Sequence, residues 1–177
     1  MIIERLSMPT LPAVSLTDLK EHCRVDGYSF DYELARHGKA AATELETYAA
    51  LALLDQSIRV TLPVWPRKDT FGLPIIPMID PLSVTVTADG VAFEDYAVCT
   101  GHRPALRLSG DRPCGVIVIE YLAGFGPTAT SIPADLANAI MDQAAAFLDA
   151  KGAGDGKTNG MSPHMARIAA RYRRVSV

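Results

Sequence analysis

The chain has 177 residues, 49% of them hydrophobic and 21% charged, with a formal net charge of -3. That is enough for one good core, or for a main domain with a small subdomain, and no run approaches the ~20 apolar residues of a bilayer-spanning helix, which excludes a helical membrane protein as a reading. Cys23, Cys99 and Cys114 lie far apart without a CxxC pair, which points away from a disulfide framework or a zinc knuckle.

The start Met1-Ile2-Ile3-Glu4-Arg5 lacks the basic-then-apolar order of a signal peptide, so a protein that is soluble and intracellular where it is made is expected. Residues 1–13 carry Pro9 and Pro12 and no periodicity, and read as an extended arm ordered by a partner or neighbour. Ser15 suits the cap of a first helix over 15–25, with Asp18 three residues on, Leu16 and Leu19 facing inward, and a stop by Asp26-Gly27. From 31 to 54 Leu34, Gly38, Ala41, Leu45, Ala49 and Ala52 recur at spacings of three and four, predicting a long helix with a thin, alanine-rich face. Such a face packs internally or against a neighbouring subunit, and both readings stay open.

After Asp55 the period changes to two. Ile58, Val60 and Leu62 alternate with Arg59 and Thr61, predicting a half-buried strand that ends at Pro63. Residues 71–81, with Pro74, Pro77 and Pro81, predict an extended connector. Leu82, Val84 and Val86 alternate with Ser83, Thr85 and Thr87, and Asp89-Gly90 is a strong hairpin signal. Further strands are expected at 96–99, 105–108 and 116–121, making an antiparallel β-subdomain over 57–122 between helical segments. The strand Val116–Tyr121 breaks at Ala123-Gly124-Phe125-Gly126-Pro127, and a helix over 133–150 follows, with Pro133 in its first turn and Leu136, Ile140, Ala144, Phe147 and Leu148 at helical spacing. The expected fold class is α+β: a small helical scaffold, built of the long helix and C-terminal helices, with an inserted antiparallel β-subdomain.

Residues 151–160, with four glycines, read as a flexible linker. Residues 161–177 hold four arginines and no acid, while the rest of the chain is acidic. Ser162-Pro163 opens a short basic amphipathic helix in which Met165, Ile168, Ala169 and Tyr172 oppose Arg167, Arg171 and Arg174. A helix of this kind suits a groove on another protein, and Met165, Arg167, Ile168, Arg171, Tyr172, Arg173 and Arg174 form the candidate partner-binding set. Its deletion is expected to leave the rest of the chain folded. The alternative is a nucleic-acid-binding module in which the same arginines meet phosphates and Tyr172 stacks on a base.

Catalytic chemistry finds little support. Gly156-Lys157-Thr158 lacks the first glycine of a phosphate loop, because Lys151 stands there, and it follows a helix rather than a strand. His22 beside Cys23 and His102 near Cys99 lack further metal ligands, His37 and His164 have no neighbouring nucleophile, and the carboxylates of Glu44 with Glu46 and of Glu94 with Asp95 point apart. No catalytic, cofactor-binding or metal site is expected, and the protein is not read as an enzyme.

One resemblance organises these pieces. Val14-Ser15-Leu16-Thr17-Asp18-Leu19-Lys20-Glu21-His22-Cys23-Arg24-Val25-Asp26 resembles the opening of the head–tail connector (adaptor) proteins of siphophages, prophages and gene transfer agents. Glu44-Leu45-Glu46-Thr47-Tyr48, Leu62-Pro63-Val64-Trp65-Pro66, Leu73-Pro74, Pro81-Leu82-Ser83-Val84, Tyr121-Leu122-Ala123-Gly124-Phe125-Gly126 and Ile132-Pro133-Ala134-Asp135-Leu136 follow in the family's order. Cys23 departs from the usual leucine, and the glycine linker and arginine-rich end have no counterpart in the motif. The resemblance covers a connector domain over 14–150 and implies a structural virion protein at the head–tail junction. Such a protein forms a twelve-fold ring beneath the portal protein, extends the channel through which DNA passes without specific binding, and offers a platform to a head-closure (stopper) or tail-completion protein. Within that implied role, the basic helix would be the element that docks on the portal.

Overall fold

A computed structural model of the chain describes residues 1–150 and 160–173. The fold is α+β, with four α-helices and two antiparallel sheets of five and three strands among the described residues. The chain divides into two compact units: Met1–Pro9 with Asp55–Phe125 holds the sheets, and Thr10–Leu54 with the described residues from Gly126 onward holds the helices.

The sheet unit contains β1 (Ile2–Arg5), β2 (Gln56–Leu62), β3 (Thr70–Gly72), β4 (Thr85–Ala88), β5 (Val91–Ala92), β6 (Tyr96–Cys99), β7 (Ala105–Leu108) and β8 (Ile117–Ala123). The larger sheet runs β1-β2-β8-β4-β5 and the smaller β3-β7-β6. Its spine is the β2–β8 pair, in register from Gln56↔Ala123 to Leu62↔Ile117. Residues directly opposite share a face, so the alternation in both strands sends Ile58, Val60, Leu62, Ile117, Ile119 and Tyr121 to one side, each at most 4% exposed. The other side keeps the Arg59–Glu120 ion pair, 2.7 Å from Nη2 to Oε1.

The Asp89-Gly90 turn joins β4 to β5 with φ of 47° and 81°, the two positive values that a type I′ hairpin requires. The Asp89 carboxylate also accepts the Val116 N–H at 2.7 Å, which ties this turn to the approach to β8. Gly115 passes close beneath it: φ is +83°, and a Cβ there would sit 1.9 Å from Asp89 Oδ2. Gly115→Ala is therefore expected to destabilise the chain by about 1–3 kcal/mol, read as a lower urea midpoint with the m-value unchanged.

Three parts of this unit differ from expectation. The arm is not left for a partner to order, since Ile2–Arg5 pairs with β2 from Ile2↔Thr61 to Arg5↔Ile58. Four residues are too few to carry a period, which hides such a strand in the sequence. Thr70–Gly72, partly inside the expected connector, forms β3 against β7, because its backbone donors are intact before Pro74. Leu82 does not extend the strand at β4: Asp80 Oδ1 accepts its N–H at 2.9 Å, Pro81–Ser83 winds into a 3-10 turn, and the side chain is 91% exposed. The rest of the connector runs along the end of β8, where Gly124 N donates to Pro77 O and Ile79 N to Leu122 O. Tyr121 fastens it from below, its hydroxyl donating to Ile75 O and accepting from Ile75 N, each at 3.0 Å.

The helical unit contains α1 (Leu16–Cys23), α2 (Asp31–Ala49), α3 (Ala134–Ala150) and α4 (Pro163–Tyr172). Ser15 caps α1 by accepting the Asp18 N–H at 3.0 Å. The helix ends at Arg24, in the left-handed region with φ 54°, before reaching Asp26-Gly27. Helix α2 also stops early, at Ala50 with φ 55°, rather than at 54. Glu46 supplies the stop, its carbonyl accepting from Ala50 and Leu51 and its carboxylate from Leu53 at 2.8 Å. Leu51 to Leu54 are nonetheless fully interior, at most 2% exposed, so their hydrophobicity prolongs the helical pattern without prolonging the helix. The small buried residues of α2 admit close neighbours: a Cβ on Gly38 would lie 2.7 Å from Leu19 Cδ1. Pro133 opens α3 by accepting from Leu136 and Ala137, and Leu136, Ala139, Ile140, Gln143 and Ala144 form its buried face. Gly126, with φ +149°, is architectural, since a Cβ there would come within 2.5 Å of Ser131.

Candidate functional site

The candidate partner-binding helix is α4. Ser162 caps it by accepting the Met165 N–H at 3.1 Å, and Pro163 occupies its first turn. Its apolar stripe is spent inside the helical unit: Met165 and Ala169 are fully buried and Ile168 is 3% exposed, with α3 and α2 as neighbours. Met165 and Ile168 are thus core residues in this structure, and deleting the segment would open that core, contrary to the expectation that the rest stays intact.

Polar contacts pin the helix along its length. Gln143, on the inner face of α3 with no exposed surface, accepts the Ser162 N–H at 2.6 Å and donates to Gly160 O at 3.3 Å. The Asp142 carboxylate bonds His22 of α1 at 2.8 Å through one oxygen and His164 of α4 through the other. At the far end the Tyr172 hydroxyl donates to both oxygens of Asp135, at 3.0 and 3.2 Å, and the Arg173 guanidinium lies 5.0 Å from the centre of the Tyr48 ring. Burial and then the Asp135 hydrogen bond and charge raise the Tyr172 pKa above the ordinary 10.0, against a small lowering by Arg171. A raised pKa means that the contact holds fully below the unfolded value and weakens as pH rises through the folded one. Loss of the α4 anchor is therefore expected only above pH 10.0, measurable by tyrosinate absorbance alongside helical CD.

What remains outward is basic: Arg167, Arg171 and Arg173 are exposed, and Tyr172 is half-buried. Arg174 and linker residues 151–159 lie outside the described residues. The structure thus splits the candidate set into an inner Met165–Ile168 pair and an outer arginine face. The other histidines are dispersed. The His37 ring lies 5.9 Å from the Phe147 ring, and His102 is exposed in the turn before β7. Among the described residues no group of three His, Cys, Asp or Glu is placed to hold a metal ion. Gln143 and Asp142 were not singled out in the sequence. Gln143 stands three residues after Ile140 and seven after Leu136, the spacing of a core position, and a polar residue at such a position signals a buried hydrogen bond.

Neither a protein-family model nor a curated protein matches the chain. Solved structures do. A chain from the neck of an empty gene transfer agent particle, computed with C6 symmetry, has 25% identity and a TM-score of 0.80, with 100% of this chain and 97% of that one covered. The chain has the fold of a gene transfer agent neck component. A chain of the native gene transfer agent virion matches at 22% identity and TM-score 0.80, and one from the native neck computed with C12 symmetry at 21% and 0.78, each over 100% of this chain and 97% of the other. These likenesses are consistent with the head–tail connector family that the motifs of residues 14–150 resemble, and they extend the likeness to the whole chain.

Proposed function

We propose that this chain is the head–tail adaptor of a phage-like particle, a structural virion subunit that assembles as a ring beneath the portal. In that role it extends the DNA channel and presents a platform to the next head-closure or tail-completion protein. The observation that carries the reading is the end-to-end match to a neck chain at TM-score 0.80 and 25% identity. The C6 and C12 symmetry of the necks that contain the similar chains supports a ring as the working form. An acidic body suits a channel in which DNA slides without sticking, because like charge repels phosphates.

The outward arginine face of α4 is the proposed portal contact, with Arg167 and Arg171 its central cations. Both point away from the core, so Arg167→Glu combined with Arg171→Glu is expected to leave the melting curve within about 0.5 kcal/mol of the parent. Co-sedimentation with portal rings is expected to fall at least tenfold (roughly 1.4 kcal/mol), with the loss growing at low salt. Unchanged co-sedimentation would remove this face from the portal contact. Strongly salt-dependent DNA binding by the parent, lost in the same variant, would instead favour the nucleic-acid reading.

A further inference from the structure

We propose that the loop joining α1 to α2, together with the first turn of α2, is the knob with which one copy of this chain grips the next, and that its socket is the outward face of the three-stranded sheet. The proposal rests on the ring reading above and names the two surfaces that would build the ring.

The knob begins in the sequence. Residues 26–33 read Asp-Gly-Tyr-Ser-Phe-Asp-Tyr-Glu, three aromatics interleaved with acids and no base. Tyr28, Phe30 and Tyr32 are 88%, 45% and 81% exposed, although the first core residue of α2, Leu34, follows at once. The loop is nevertheless held in place. The Lys20 ammonium donates to Gly27 O and to Asp31 Oδ1, the latter at 2.7 Å, and lies 5.0 Å from the centre of the Tyr28 ring. Ordering the loop in advance lowers the entropy lost on binding, and rigid tyrosines are the side chains most often found as interface anchors. The acids that flank the rings make nucleic acid a poor occupant and a cationic protein surface a good one.

The same chain provides such a surface. In the small sheet Thr70, Arg107 and Ala97 lie side by side across the strands, as do Gly72, Ala105 and Cys99. These residues share the face opposite the buried Leu106, and all are small except Arg107, so the face is flat with one guanidinium rising from it. The turn from β6 to β7 adds His102 and Arg103, both exposed. Residues 70–79 and 96–108 contain no aspartate or glutamate, so the stretch around Arg103 and Arg107 is locally cationic, with Asp69, Glu94 and Asp95 at its margins, while the chain as a whole is acidic. Arginine stacks readily on tyrosine rings and pairs with carboxylates, which is what the knob offers. Knob and socket are unlike surfaces on different units of one chain, and an interface between unlike surfaces runs head to tail, the kind that builds a ring when the rotation between copies closes, whereas a two-fold dimer uses one surface twice.

The test is incorporation of a tagged full-length chain into particles made by producing cells, with a thermal melt of each purified variant beside it. Tyr28→Ser with Tyr32→Ser is expected to lower incorporation roughly tenfold or more and leave the melt unchanged. Arg103→Glu with Arg107→Glu is expected to do the same, and adding Asp26→Arg, at an exposed position, to that variant is expected to restore incorporation at least in part by exchanging the charges across the interface. Normal incorporation of the tyrosine variant, or no restoration by the exchanged variant when it melts like the parent, would overturn the interface. Absence of the parent chain from the particles would overturn the ring reading itself.

Discussion

Tyr121→Phe is expected to lower the unfolding free energy by about 2–4 kcal/mol, although it removes one oxygen from a side chain that otherwise keeps its place. Tyr121 is 1% exposed at the centre of β8, and its hydroxyl serves the two backbone groups of Ile75 at once, as donor to the carbonyl and acceptor from the N–H. Ile75 is itself 8% exposed, so water cannot replace the lost partner, and a buried unsatisfied polar group costs roughly 1–3 kcal/mol. Burial pushes the phenol's pKa well up, against smaller lowering by the Ile75 backbone and Arg5. The raised pKa makes the neutral hydroxyl the stable form throughout the physiological range, and the contribution is lost only in strong alkali. Urea unfolding is the measurement, with hydrogen exchange at Ile75 as the local readout. A loss under about 0.5 kcal/mol would mean that the connector does not depend on this contact.

Deleting residues 161–177 is expected to cost about 4–6 kcal/mol, because it strips buried Met165, Ile168 and Ala169 from the helical core and exposes their neighbours on α2 and α3. The polar contacts add to this, since Gln143 would lose the Ser162 N–H and become an unsatisfied amide facing the gap. The damage is expected to be local. Amide exchange in α2 and α3 should accelerate by orders of magnitude, while the β2–β8 ladder, fastened by its own register and by Tyr121, should keep its protection. Equal protection of α3 in the deleted and full-length chains would show that α4 contributes nothing to the core. The point bears on function: a deletion that loses portal binding and also loosens the scaffold does not isolate a docking surface, which is why the outward arginines are the better probe.

How much of this was legible in the sequence depends on how each element is stabilised. β2, β8 and the Asp89-Gly90 hairpin were readable because one buried face imposes a period of two and a type I′ turn demands residues tolerant of positive φ. Helix α3 was readable from its leucine and isoleucine spacing and from Pro133. The end of α2 was not, because a glutamate reaching forward to Leu53 leaves no glycine as a marker. Strand β1 was hidden because its order comes from β2, 50 or more residues away. The stripe of α4 was read correctly as apolar but assigned outward, since amphipathicity states that one face is covered and not by what. The aromatic loop went unnoticed for a related reason: exposure is a property of the folded chain, and Tyr28, Phe30 and Tyr32 look in sequence like ordinary core residues. The motif order over 14–150 carried the family resemblance where no single site did.

The most direct measurement of the central claim is a cryo-electron microscopy reconstruction of the neck of particles from cells that make this chain. The expected result is a ring of this fold between portal and tail, with the symmetry of the C12 neck in which a similar chain resides, the α4 arginines toward the portal and Tyr28 against the neighbouring subunit's small sheet. Particles with a complete neck that lacks this fold, or that carries it elsewhere in the shell or tail, would contradict it.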